Sequence, residues 1–169
     1  MSCGEQLSTN ILDWLLSNSE TSLRILELWD EPGPRMKRLV AKHGDYLRSL
    51  RIPCFNKVAA ETVDLCPKLE ELALIIHHST ALTRLRDLPL SIVHFAFRNM
   101  AKRPLHRPVI SAINNLPNLR VVTCDQHSQQ DADFSALQKV CENRSVDLRV
   151  DQGQLWLVGN PVIFSMRYR

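Results

Sequence analysis

Leu69-Glu70-Glu71-Leu72-Ala73-Leu74 decides the fold, because the chain writes the same apolar-x-x-apolar-x-apolar hexad several times. Upstream stand Leu23-Arg24-Ile25-Leu26-Glu27-Leu28 and Leu47-Arg48-Ser49-Leu50-Arg51-Ile52. Downstream stand Ile92-Val93-His94-Phe95-Ala96-Phe97 and Leu119-Arg120-Val121-Val122-Thr123-Cys124, with a weaker copy in Ser145-Val146-Asp147-Leu148-Arg149-Val150. The copies begin at 23, 47, 69, 92, 119 and 145, so the steps are 24, 22, 23, 27 and 26 residues. Chance does not keep six copies in such register.

That period, headed by such a hexad, is the leucine-rich-repeat signature. Each hexad predicts a strand, and the residues between hexads predict a helix. Neither element can hide its apolar side alone, so neighbouring repeats must stack into one continuous core. The expected fold is therefore α/β: a leucine-rich-repeat solenoid of about six strand–helix repeats with a parallel concave sheet. Six strands spaced at about 4.8 Å span roughly 24 Å, which predicts a short, barely curved arc with right-handed crossovers. One domain covers residues 1–169, with a capping helix in 1–22, repeats over 23–151 and a C-terminal cap in 152–169.

The intervening segments carry their own punctuation. Asn10 with Asp13 opens a helix over residues 7–17, whose stripe is Ile11, Leu12, Leu15 and Leu16. Asp30-Glu31-Pro32-Gly33-Pro34 predicts a loop. A helix then presents Met36, Leu39, Val40 and His43, and Gly44 is expected to end it as a left-handed residue. Asn56 predicts the cap of a helix carrying Val58, Ala59, Thr62, Val63 and Cys66, stopped by Pro67. A short helix around 80–88 turns Leu82 and Leu85 inward, and Pro108 starts another bearing Val109, Ile110, Ile113 and Leu116. A polar loop over 127–131 precedes a helix with Phe134, Leu137, Val140 and Cys141. The tail, with Gly159-Asn160-Pro161 between two apolar runs, predicts a closing hairpin.

Composition narrows the function. An apolar content of 44% with 23% charged residues is ordinary for a globular chain, and the net charge of +3 comes from interspersed signs. A nucleic-acid surface needs clustered Lys and Arg. The first residues lack the basic and apolar regions of a signal peptide, and no apolar run reaches the roughly 18 residues of a membrane span. Five cysteines without a C-x-x-C spacing predict free thiols in a reducing compartment, cytoplasmic or nuclear. The Asn143-Arg144-Ser145 sequon then has no consequence.

Candidate binding residues follow from the strand period of two, which turns the non-repeat positions outward onto the concave sheet. Three columns result: Ile25, Ser49, Glu71, His94, Val121 and Asp147; Glu27, Arg51, Ala73, Ala96, Thr123 and Arg149; and Trp29, Pro53, Ile75, Arg98, Asp125 and Asp151. Trp29, Glu27, Arg51, Glu71, Ile75, His94, Arg98, Thr123 and Arg149 are the expected contacts for a protein partner, Trp and Arg being favoured at such surfaces. A plainer alternative pairs the arginines with Glu27 and Glu71. No catalytic, metal or cofactor site is expected: His77-His78 lacks acidic or cysteine companions at ligand spacing, and no phosphate loop or nucleophile motif is present. Lys102-Arg103-Pro104-Leu105-His106-Arg107 is the one local basic cluster, a lesser alternative for nucleic acid or phosphate.

Several stretches resemble one family. Ile11-Leu12-Asp13-Trp14-Leu15-Leu16, His43-Gly44-Asp45-Tyr46-Leu47-Arg48-Ser49-Leu50, Leu65-Cys66-Pro67-Lys68-Leu69-Glu70-Glu71-Leu72 and Leu116-Pro117-Asn118-Leu119-Arg120-Val121-Val122-Thr123-Cys124-Asp125 are similar to the repeat region of F-box/leucine-rich-repeat proteins of mushroom-forming basidiomycete fungi. The resemblance implies a substrate receptor of a ubiquitin ligase, whose repeats select the protein substrate while an F-box docks a Skp-type adaptor. No F-box with its Leu-Pro opening stands before residue 23, so adaptor docking is expected only if an F-box lies upstream. The alternative is a free-standing repeat scaffold or decoy.

Overall fold

The computed structural model describes residues 21–28, 32–76, 79–100 and 106–151. The expected helix at 7–17, Trp29, His77, His78 and the expected cap at 152–169 lie outside the described residues. Six strands are present among those described: β1 (Ile25–Glu27), β2 (Ser49–Ile52), β3 (Glu71–Ile76), β4 (His94–Asn99), β5 (Val121–Asp125) and β6 (Asp147–Asp151). They form one parallel sheet in the order β1-β2-β3-β4-β5-β6, each strand beside its successor in sequence. The register follows the hexads. Ile25, Ser49, Glu71, His94, Val121 and Asp147 pair in turn, and so do Leu26, Leu50, Leu72, Phe95, Val122 and Leu148.

A helical layer runs in step with the sheet: α1 (Pro34–His43), α2 (Lys57–Val63), a 3-10 segment (Ser79–Asp87), α3 (His106–Asn115), a second 3-10 segment (Gln126–Gln130) and α4 (Phe134–Asn143). Asn56 caps α2 as expected, its side-chain oxygen accepting from Ala59 N at 2.8 Å. Four boundaries differ from the sequence reading. Pro34 opens α1 and does not belong to a loop, because its fixed φ and missing N–H suit a first helical position. Gly44 is right-handed, with φ −58 and ψ −35, so it does not end α1 as a left-handed residue. Its need for glycine is steric: a Cβ there would lie 1.9 Å from the Leu65 carbonyl oxygen. The third helix winds as 3-10, and the expected polar loop after β5 is a 3-10 turn capped by Asp125, whose carboxylate accepts from Ser128 N at 3.3 Å.

The core lies between the two layers. Leu50, Ile52, Leu72, Leu74, Phe95, Phe97, Val122 and Cys124 point from the strands toward Val40, Ala59, Val63, Leu82, Leu85, Val109, Ile113 and Leu137 of the helical layer, all buried. The Phe95 and Phe97 rings stack with centroids 5.8 Å apart. Strands β2 to β5 are entered through the same kind of turn. Leu47, Leu69, Ile92 and Leu119 donate their amides to Gly44, Cys66, Pro89 and Leu116 three residues earlier, at 3.1–3.3 Å.

Side chains then clasp turn to turn. Arg24 Nη1 donates to Tyr46 O, and Arg48 Nη1 to Lys68 O. Ser91 Oγ donates to Pro67 O and Leu69 O, Asn118 Nδ2 to Leu90 O, and Arg144 Nη2 to Leu116 O.

The end of α4 holds the chain's one described left-handed non-glycine residue, Ser145 with φ 55. Val146 N bonds to Cys141 O at 2.9 Å and Ser145 N to Glu142 O at 3.0 Å, the two bonds of a Schellman cap. That conformation costs a β-carbon residue about 1 kcal/mol more than glycine. Ser145→Gly is therefore expected to raise stability by about 1 kcal/mol, read as a rise in Tm. A lower Tm in the variant would refute the cap assignment.

Candidate functional site

The helix-free face of the sheet carries the candidate residues, and the register brings them together as the aligned hexads predict. Their exposure does not follow expectation. Arg51, Glu71, His94 and Thr123, expected on an open lattice, each retain 7% or less of their accessible surface. Ala73 and Ala96 between them form a small apolar cluster of their own. Glu27, Arg98 and Arg149 keep 25%, 34% and 42% of their side-chain exposure, and Ile75 is half-buried.

Buried Ser49, Glu71, His94 and Thr123 approach one another in a row across neighbouring strands. Ser49 Oγ donates to Glu71 Oε2 at 2.9 Å. Glu71 Oε1 lies 3.3 Å from His94 Nδ1, and His94 Nε2 lies 2.9 Å from Thr123 Oγ1. The imidazole thus turns one nitrogen to the carboxylate and the other to the Thr123 hydroxyl, its tautomer setting which of them donates. Arg51 Nη1 lies 3.7 Å from Glu27 Oε1. This lateral pairing is why the columns are not free for a partner: strands about 4.8 Å apart let side chains bond sideways instead of standing into solvent.

Burial pushes the Glu71 carboxyl up, but the hydrogen bond and charge of His94, the Ser49 hydroxyl and the Arg51 guanidinium together outweigh it. The group is held below the ordinary glutamate value.

The row of carboxylate, imidazole and hydroxyl has the order of a nucleophilic relay. Thr123 keeps only 3% of its surface, however, and lines neither the groove of about 390 Å³ beside α4 nor that of about 500 Å³ at the strand entries. The row joins four strands, and its hydroxyl is buried within it.

The edge of the face is different. Arg98 Nε sits 4.0 Å from Asp125 Oδ2, and Arg149 bonds Asp147 Oδ2 at 2.6 Å within its own strand. Arg98 and the Arg149–Asp147 pair are partly exposed, whereas Asp125 is buried. Of the expected contacts, Glu27, Ile75, Arg98 and Arg149 thus remain reachable, and Trp29 lies outside the described residues.

Of the described cysteines, Cys66, Cys124 and Cys141 are buried free thiols and Cys54 is half-buried. Burial, helped by Asp45, pushes the Cys66 thiol up to about 12; burial, helped by Asp125, does the same to Cys124. Burial raises Cys141 to about 11. Such thiols resist becoming the thiolate that oxidation and metal binding require. No group of three or more metal-ligating side chains occurs among the described residues, and none of their helices is long and apolar enough to cross a membrane. Of the basic insertion, Arg107 is described; its guanidinium lies 3.9 Å from Asp133.

Compared with known proteins, the chain matches no family model, no curated protein and no solved structure. What defines its class is architecture: an α/β chain whose six parallel strands alternate with helices in sequential order.

Proposed function

We propose that this chain is a non-enzymatic protein-interaction module of the leucine-rich-repeat type. The observation that carries the reading is the sequential β1–β6 sheet, which aligns equivalent side chains of six repeats into continuous columns. Stacked repeats of this kind offer an extended face to a partner. The buried row from Ser49 to Thr123 keeps that face rigid, while Glu27, Ile75, Arg98 and Arg149 are its reachable contacts. A receptor role in a ubiquitin ligase rests on the family resemblance of the hexads and on analogy of fold, and it requires an F-box outside these residues.

The test is affinity capture with the wild type and with the double variant Arg98→Ala/Arg149→Ala. The Arg149 pair is exposed and contributes about 0–1 kcal/mol, and buried Asp125 keeps its Ser128 bonds when Arg98 is removed, so the variant should stay folded, checked by its melt. A partner held through this face is lost from the variant. Equal recovery of the same partner by both proteins overturns the reading.

A further inference from the structure

A second surface lies at the rim where the chain enters the strands, on the opposite end of the repeats from the helix N-termini. A groove of about 500 Å³ runs there, lined by Arg48, Lys68, Glu70, Val93, Pro117 and Arg120 among others. Its apolar lining comes from half-buried Val93, exposed Pro117 and buried Leu119. Its charged lining is mostly basic. Arg48 is tied down, donating to Lys68 O at 3.0 Å and lying 3.5 Å from Glu70 Oε1. The Lys68 ammonium and the Arg120 guanidinium are exposed and have no ion-pair partner among the described residues. Three cations therefore face one carboxylate. The turns beneath are fixed by the Ser91 and Asn118 bonds to neighbouring carbonyls, so the groove is preformed.

We infer that this rim groove binds an extended acidic peptide segment with an apolar side chain between its carboxylates. The cations are spread from the entry of β2 to the entry of β5, three strand spacings or about 14 Å. Four or five extended residues cover that span at about 3.3 Å each, whereas a lone phosphate reaches one or two of the cations at a time. Carboxylates on such a segment reach Lys68 and Arg120, and an apolar side chain between them covers Val93 and Pro117. The inference does not depend on the sheet-face reading above, because the two surfaces share no residue.

The test is fluorescence anisotropy with the labelled peptide Asp-Glu-Leu-Glu-Asp, beside its neutral analogue Asn-Gln-Leu-Gln-Asn and a short oligothymidylate. The acidic peptide should bind and weaken as salt rises, the neutral one should not. Lys68→Ser/Arg120→Ser should weaken binding about tenfold, the sum expected of two exposed charge contacts. Lys57→Ser/Arg107→Ser, the same charge change at the helix N-termini, should leave binding within about twofold. Both double variants should keep the wild-type melt. Equal binding of the neutral peptide, indifference to Lys68 and Arg120, tighter binding of the oligonucleotide, or no binding up to about 1 mM each overturns the inference.

Discussion

Gly44→Ala is expected to destabilise the protein by on the order of 3 kcal/mol, the upper part of the range for overpacking a filled site. The added Cβ would meet Leu65 O at 1.9 Å, Leu65 C at 2.9 Å and Val40 O at 3.0 Å. All three are backbone atoms, so no flexible side chain can swing aside. Relief requires the turn after α1 to separate from the turn after α2, and the α1–α2 packing and the β2–β3 ladder move with it. For a chain of this size the effect corresponds to a Tm lowered by roughly 10 °C. Gly33→Ala is the control: nothing lies within 4 Å of a Cβ there, and its backbone is extended. That change, at the N-cap of α1 where glycine is preferred to alanine, should cost no more than about 1 kcal/mol. Parallel melts of the two variants decide the matter, and equal Tm values would refute the close approach.

Breaking the buried row at its centre should cost more still. Glu71→Ala leaves the Ser49 hydroxyl without its acceptor, takes the carboxylate away from His94 and removes a negative charge near Arg51. Removing one partner of a buried charged pair costs about 3–5 kcal/mol, because the surviving groups stay desolvated. Acid should reach the same interaction without mutation. The folded-state value of Glu71 lies below the unfolded one, so its contribution is complete above about pH 4.5 and is lost as pH falls through the lower folded value. Stability of the wild type should therefore fall more steeply in acid than that of Glu71→Gln, which has no carboxyl to protonate. Denaturant midpoints of both proteins between pH 7 and pH 3 provide the comparison. Parallel curves would show that Glu71 is not held by the row.

The register of the sheet was legible in the sequence because it is a repeat property. Once Leu50, Leu72, Phe95 and Val122 are aligned as second apolar positions, Ser49, Glu71 and His94 must be cross-strand neighbours, and they are. Exposure was not legible in the same way. Period two says which face Arg51 and Thr123 occupy, but not that lateral bonds and close neighbours bury them. Gly44 misled for a related reason: glycine after a helix usually marks a left-handed residue, whereas here the cause is a neighbouring turn twenty-one positions away, at Leu65. Asp125 was readable. An Asp three residues before Ser128 is an ordinary cap signal, hidden by reading residues 127–131 as a polar loop. The 3-10 winding of Ser79–Asp87 had no local mark, since Leu82 and Leu85, three apart, suit either winding.

The clasps between successive turns give the molecule a mechanical character. Arg24, Arg48, Ser91, Asn118 and Arg144 each tie one turn to an adjacent one and to no other, as each strand ties only to its sequence neighbours. Tension applied to the two ends of the described chain therefore falls on one seam at a time. The stack yields by peeling, repeat after repeat, and the interior seams at β3–β4 stay closed until the outer ones have opened.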